Sequence, residues 1–125
     1  MIHGVGTDIV RVARLAEALD RHGTRFAERI LTPEERLRYA HTRQKASHLA
    51  KRFAAKEAFG KALGTGVAAP ATLHAVRVGH DALGKPLFEF SPVLAEHMRA
   101  HGLHAHLSLS DETDYVVAFA VIEKP

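Results

Sequence analysis

The stretch from Lys45 to Leu63 constrains the fold of this chain more than any other. Leu49, Phe53, Ala54, Phe59, Ala62 and Leu63 recur close to a 3.6-residue period, and Gly64 follows as a natural left-handed cap. This periodicity predicts the longest helix of the chain. Its second half, RFAAKEAFGKALGTG (residues 52–66), sets Arg52, Lys56, Glu57 and Lys61 among alanines and phenylalanines. Glu57 and Lys61 lie four apart on one helix face, in the favourable order for an ion pair, which at a solvated surface contributes only about 0.2–0.5 kcal/mol. Phe53 stands four residues before Glu57, and Ala54 and Ala58 flank it with small side chains. Such a face is partly buried, and a buried carboxylate needs a partner. A metal ion is one such partner.

The segments around this helix alternate in period. Residues 2–10, IHGVGTDIV, are apolar and β-branched but broken by two glycines, the pattern of a strand whose backbone is closely approached. VARLAEALDRHG spaces Val12, Leu15, Ala16 and Leu19 helically, keeps Arg14 and Arg21 off the apolar stripe and stops at His22-Gly23. Phe26, Ala27 and Ile30 add a further turn or two, and Thr32, Pro33 and Glu35 form a capping signature for the next helix. LHAVRVG (73–79) and PLFEF (86–90) read as strands joined by HDALGK; SPVLAEHMRAHG (91–102) reads as a helix. LHAHLSLS (103–110) and YVVAFAVIE (115–123) alternate as a hairpin turned by DETD. This order predicts one domain over residues 1–125, of the α+β class: a mostly antiparallel sheet packed against the long central helix.

Composition narrows the function. Seventeen Lys and Arg against fourteen Asp and Glu leave a net charge of +3, with ten histidines besides, which suits an acidic partner or a phosphate ligand. Six Phe and two Tyr, with no long basic block, argue against nucleic acid. The absence of cysteine rules out disulfides and thiolate metal sites and fits a reducing cytoplasm. No charged leader precedes an apolar run at the N-terminus, and no apolar stretch reaches the roughly 18 residues a membrane span needs. A cytoplasmic protein is expected.

Asp8 interrupts its apolar strand between Thr7 and Ile9. One reading makes it the cap of the following helix. The other pairs it with Glu57 as hard oxygen ligands, since two carboxylates, waters and a ligand phosphate are what Mg²⁺ commonly takes. His104 and His106 share a strand face but lack a third ligand for zinc. Ser108 and Ser110 have no glycine-framed elbow and read as polar strand positions. Gly64 and Gly66 cap a helix or let a phosphate approach the backbone.

GVGTDIV (4–10), RFAAKEAFGKALGTG (52–66), LGKP (83–86) and HLSLSDETDYVVAFAVIE (106–123), in this order over essentially the whole chain, resemble the short bacterial 4'-phosphopantetheinyl transferases of the holo-[acyl-carrier-protein] synthase type. The resemblance implies Mg²⁺-dependent transfer of the phosphopantetheine arm of coenzyme A to a serine of apo acyl carrier protein. The other product is adenosine 3',5'-bisphosphate, and the reaction serves fatty acid biosynthesis. It carries metal ligation to Asp8 and Glu57 and a phosphate or leaving-group contact to Lys61, with these three as the catalytic set. Glu57 is further implied as a candidate base for the serine. Arg52 corresponds to a residue that holds the nucleotide end, and Gly64 and Pro86 to further coenzyme A contacts. Arg14, Arg21 and Arg25 correspond to the surface that meets the acidic carrier protein.

The resemblance also implies a homotrimer with active sites shared between neighbours, which suits an alternating strand such as YVVAFAVIE with two apolar faces. The chain departs from the common pattern at Asp111, where many relatives carry histidine near the nucleotide. A carboxylate there is expected to repel phosphate, leaving His106 or Arg52 to compensate. Two other classes fit the residues without the resemblance: a non-catalytic module docking an acidic helical protein, and a metal-dependent nucleotide hydrolase.

Overall fold

The computed structural model describes all 125 residues. Strand β1 (Ile2–Arg11) leads into helices α1 (Val12–His22), α2 (Thr24–Ile30), α3 (Pro33–Tyr39) and α4 (Lys45–Leu63). Strands β2 (Val76–His80) and β3 (Pro86–Phe90), helix α5 (Pro92–Ala100), and strands β4 (His104–Asp111) and β5 (Tyr115–Glu123) complete the chain. The expected single sheet is divided in two. β1, β5 and β4 form an antiparallel sheet in that order, and β2 and β3 form a separate antiparallel pair. The division follows from α4, which packs against both sheets.

Alternation sets the faces of the larger sheet. Val116, Ala118, Ala120 and Ile122 of β5 are fully buried, whereas Tyr115, Val117 and Phe119 point to the other side. On β1 the inward positions are Gly4, Gly6, Asp8 and Val10. The close approach that the glycines predict is made by α4: a Cβ on Gly4 would lie 2.0 Å from the Ala62 carbonyl oxygen, and one on Gly6 2.0 Å from that of Ala58. Alanine on the helix and glycine on the strand thus let two backbones touch.

The aromatic anchor of α4 is Phe59, with no exposure, rather than the half-buried Phe53. Its ring meets Phe88 and Phe90 of β3, each at a centroid distance of 5.1 Å, so it faces the smaller sheet while Ala54, Ala58 and Ala62 fill the core. α3 starts with the capping box that its sequence predicts: Thr32 accepts from the Glu35 amide while the Glu35 carboxylate accepts from the Thr32 amide. No helix is long and apolar enough to cross a membrane.

Candidate active site

Asp8 sits on the inward face of β1, an edge strand, where α4 passes with Glu57 and Lys61 on the side nearest to it. The Lys61 ammonium donates to the Thr7 carbonyl at 2.9 Å and lies 3.4 Å from Asp8 Oδ1. Burial raises the Glu57 carboxyl above its ordinary range, the charge of Asp8 raises it further, and Lys61 opposes both. Two carboxylates therefore share one half-buried site with a single lysine. Asp8 caps no helix: α1 begins at an N-cap of Arg11 with no side-chain cap.

A divalent cation fits this donor set. Mg²⁺ is commonly held by one or two carboxylates together with waters and substrate phosphates rather than by a closed protein cage. Asp8 and Glu57 offer that pair, and the chain supplies no cluster of three or more His, Asp or Glu side chains for a metal that requires one. Asp8 and Glu57 would hold such a cation, and its charge would offset the part of the Glu57 shift that comes, after burial, from Asp8.

Arg52 does not join them. At about 3.6 residues per turn, Glu57 and Lys61 lie roughly 140° and 180° around the helix from it. Arg52 instead faces α3 and β2, with 5% exposure, its Nε 4.0 Å from Glu35 Oε2 and without a hydrogen-bond partner in the chain. Burial lowers its pKa, Glu35 raises it and Arg38 lowers it again. Around it the cations crowd. The His48 imidazole is pushed down to about 4 by burial, then by Arg52, Arg38, Lys51 and Lys45, and its Nε2 is also unpartnered. His80, 3.4 Å from an Arg38 nitrogen, is lowered by burial and the same kind of charges. A positive patch, in which Arg52 Nε and His48 Nε2 lack hydrogen-bond partners, thus occupies the side of α4 opposite the carboxylates.

Beneath Arg52 lies a hub that the pattern of the sequence conceals. Lys56, 1% exposed, donates to Glu35 Oε1 at 2.6 Å, to the Ile30 carbonyl at 2.5 Å and to the Leu73 carbonyl at 2.9 Å. The other Glu35 oxygen accepts from the Val78 amide at 2.9 Å. One buried carboxylate and one buried ammonium so tie α2, α3, α4 and β2 together. Glu35 was visible only as a capping residue, and a lysine in the middle of a helix carries no mark of burial.

The remaining predicted residues are dispersed. Gly64 caps α4 at φ 94°, close in sequence to Lys61, and Pro86 opens β3 after a turn in which Asp81 accepts from the Leu83 and Lys85 amides. His106 projects from the outer face of β4, away from α4, and bonds Glu123 at 2.8 Å. Asp111 is not a bare carboxylate: it pairs with Lys51 at 3.3 Å, so its charge is answered within the chain. Arg14 is exposed on α1. Arg21 and Arg25 line the main cleft, about 750 Å³, with Phe26, Arg29 and His74, and this cleft includes none of Asp8, Glu57 and Lys61.

The fold defines the class. A crystal structure of holo-[acyl-carrier-protein] synthase from Neisseria meningitidis superposes with a TM-score of 0.95 at 48% identity, covering 99% of this chain and 100% of that one. The enzyme from Bacillus anthracis, solved in complex with CoA (3',5'-ADP), superposes with a TM-score of 0.85 at 35% identity, over 100% and 99%. These neighbours place the chain among α+β group-transfer enzymes. The model of the 4'-phosphopantetheinyl transferase superfamily matches residues 4–120. The holo-[acyl-carrier-protein] synthase of Azoarcus sp. (strain BH72) is 66% identical over 123 residues, 98% of either chain. The chain belongs to the 4'-phosphopantetheinyl transferase superfamily, as an enzyme of the holo-[acyl-carrier-protein] synthase type.

Proposed function

We propose that a single catalytic domain, residues 1–125, transfers the 4'-phosphopantetheine arm of coenzyme A to a serine hydroxyl of an apo acyl carrier protein in the cytoplasm. The released product is adenosine 3',5'-bisphosphate, and the modified carrier serves fatty acid biosynthesis. The observation that carries this reading is the meeting of Asp8, Glu57 and Lys61 at one edge of β1, in a chain of this superfamily.

The serine oxygen forms a bond to the β-phosphorus of the coenzyme A diphosphate, and the phosphorus bond to the bridging oxygen breaks. Asp8 and Glu57 would hold Mg²⁺, which when bound supplies positive charge to the diphosphate oxygens. Lys61 contacts a phosphate oxygen or the departing bisphosphate. Glu57, beside Asp8 at the same site, would accept the serine proton, directly or through water. Positioning supplies much of the acceleration, as is usual for phosphoryl chemistry.

Two features support a homotrimer with shared sites. Val5, Ile9, Tyr115, Val117 and Phe119 make an uncovered apolar face on the larger sheet, with Ile9 64% and Phe119 45% exposed. The patch at Arg52 lies across α4 from the carboxylates, so a ligand held by both spans two chains. In this arrangement Arg52 of a neighbour takes the 3'-phosphate of coenzyme A, with Gly64, Pro86 and His106 as further contacts. Arg14, Arg21 and Arg25 meet the acidic carrier, with Phe26 in the same cleft as Arg21 and Arg25 as an apolar seat.

The test is Mg²⁺-dependent modification of apo carrier protein by Asp8→Ala and Glu57→Ala. Each is expected to lose activity by at least about a hundredfold while keeping its fold. Transfer at the parent rate by both would remove the metal assignment. A nucleotide hydrolase is set apart by the same assay, since it consumes coenzyme A without any carrier.

A further inference from the structure

Lys61, proposed to contact a phosphate, already has partners of its own in the fold. Its ammonium is not loose in solvent but bonded to the Thr7 carbonyl at 2.9 Å and set 3.4 Å from Asp8 Oδ1. The Asp8 side chain is 17% exposed and that of Lys61 52%, so the ammonium covers the mouth of a more buried carboxylate. No other lysine or arginine nitrogen comes within 4.0 Å of Asp8, and none does so of Glu57. The two carboxylates therefore have one counter-ion between them, and it rests against an oxygen that a cation would need. An ammonium has no lone pair, so it cannot become a ligand; it can only compete.

We infer that Lys61 is the resident counter-ion of the Asp8–Glu57 pair, and that a divalent cation binds there only by displacing it. The inference rests on the proposed metal role of these carboxylates and adds an order to binding. A cation arriving alone meets a like charge held in place by Thr7 and Asp8. A cation arriving with a diphosphate brings the displaced ammonium a new anionic partner, so metal and coenzyme A tighten each other reciprocally. Lys61 thus disfavours loading by a bare metal ion and favours loading by the metal–diphosphate pair.

The experiment is Mn²⁺ binding to the protein without coenzyme A, followed through the electron paramagnetic resonance signal of free Mn²⁺. It compares the parent, Asp8→Asn, Lys61→Met, Lys61→Gln, Lys61→Arg, and Lys61→Met combined with Asp8→Asn. Losing a positive charge this close to the cation is expected to tighten Mn²⁺ about tenfold or more in the Met and Gln variants. Lys61→Arg keeps parent affinity, and Asp8→Asn abolishes the gain. The two neutral variants guard against one failing to fold, since Lys61 is largely solvent-facing on the last turn of α4. Unchanged or weaker Mn²⁺ binding in both, with Asp8→Asn still weakening it, overturns the counter-ion role and leaves the metal site standing. Mn²⁺ binding that ignores Asp8 in every protein overturns the metal site itself, and the inference with it.

Discussion

Single residues divide into those whose meeting was legible and those whose burial was not. Asp8 and Glu57 stood out because each is a carboxylate in an apolar setting, and the fold brings them together. Lys56 did not, because its neighbours in sequence match those of a surface lysine; only the arrival of Glu35 from α3 makes its burial tolerable. Removing one partner from such a pair typically costs about 3–5 kcal/mol, whereas an exposed pair contributes about 0–1 kcal/mol. His48 yields a pH prediction. Its pKa falls from 6.5 to about 4 in the fold, so between those values the unfolded chain binds the proton that the folded chain refuses. Stability therefore falls as pH drops through that window. Urea midpoints of His48→Gln and the parent, compared at pH 7 and pH 4.5, are expected to show a smaller acid loss in the variant; an equal loss would contradict a neutral buried imidazole.

At the scale of elements, period and punctuation were sufficient for most of the chain. The capping box of α3, the glycine end of α4 and the alternation of β5 were all local signals, and the structure keeps each of them. The division into two sheets was not local: strand pairing is decided by what α4 displaces, and no strand announces its partner. From the sequence, Arg52, Glu57 and Lys61 are expected to face one diphosphate, but helical spacing sets Arg52 and Glu57 roughly 140° apart, and the fold turns Arg52 to Glu35 instead. Contact between α4 and β1 is the element-level hinge of the account. Gly6→Ala would drive a methyl to 2.0 Å from the Ala58 carbonyl oxygen, forcing strand and helix apart. The expected result is a loss of about 1–3 kcal/mol of stability or more, together with a fall in activity that raised Mg²⁺ only partly restores. A variant with parent stability and parent kinetics would show that the close approach does not place Asp8 against Glu57.

For the whole molecule, the outer face of the larger sheet matters most. A protein seldom leaves several large apolar side chains together in water without a partner for them. The apolar alternation of YVVAFAVIE made a two-sided strand legible; which second surface covers it is not written in the strand. Phe119→Asp, in the middle of that face, is expected to give a monomer by sedimentation, still folded, with most transfer activity gone because carboxylates and arginine patch no longer meet. A monomer of full activity would place the entire site within one chain.

The central claim is the reaction itself, and mass spectrometry of apo acyl carrier protein incubated with the enzyme, coenzyme A and Mg²⁺ tests it most directly. The carrier is expected to gain the mass of one phosphopantetheine, substitution of its serine to prevent the gain, and chelation of the metal to stop it. A carrier of unchanged mass beside consumed coenzyme A, or beside coenzyme A left whole, would contradict it.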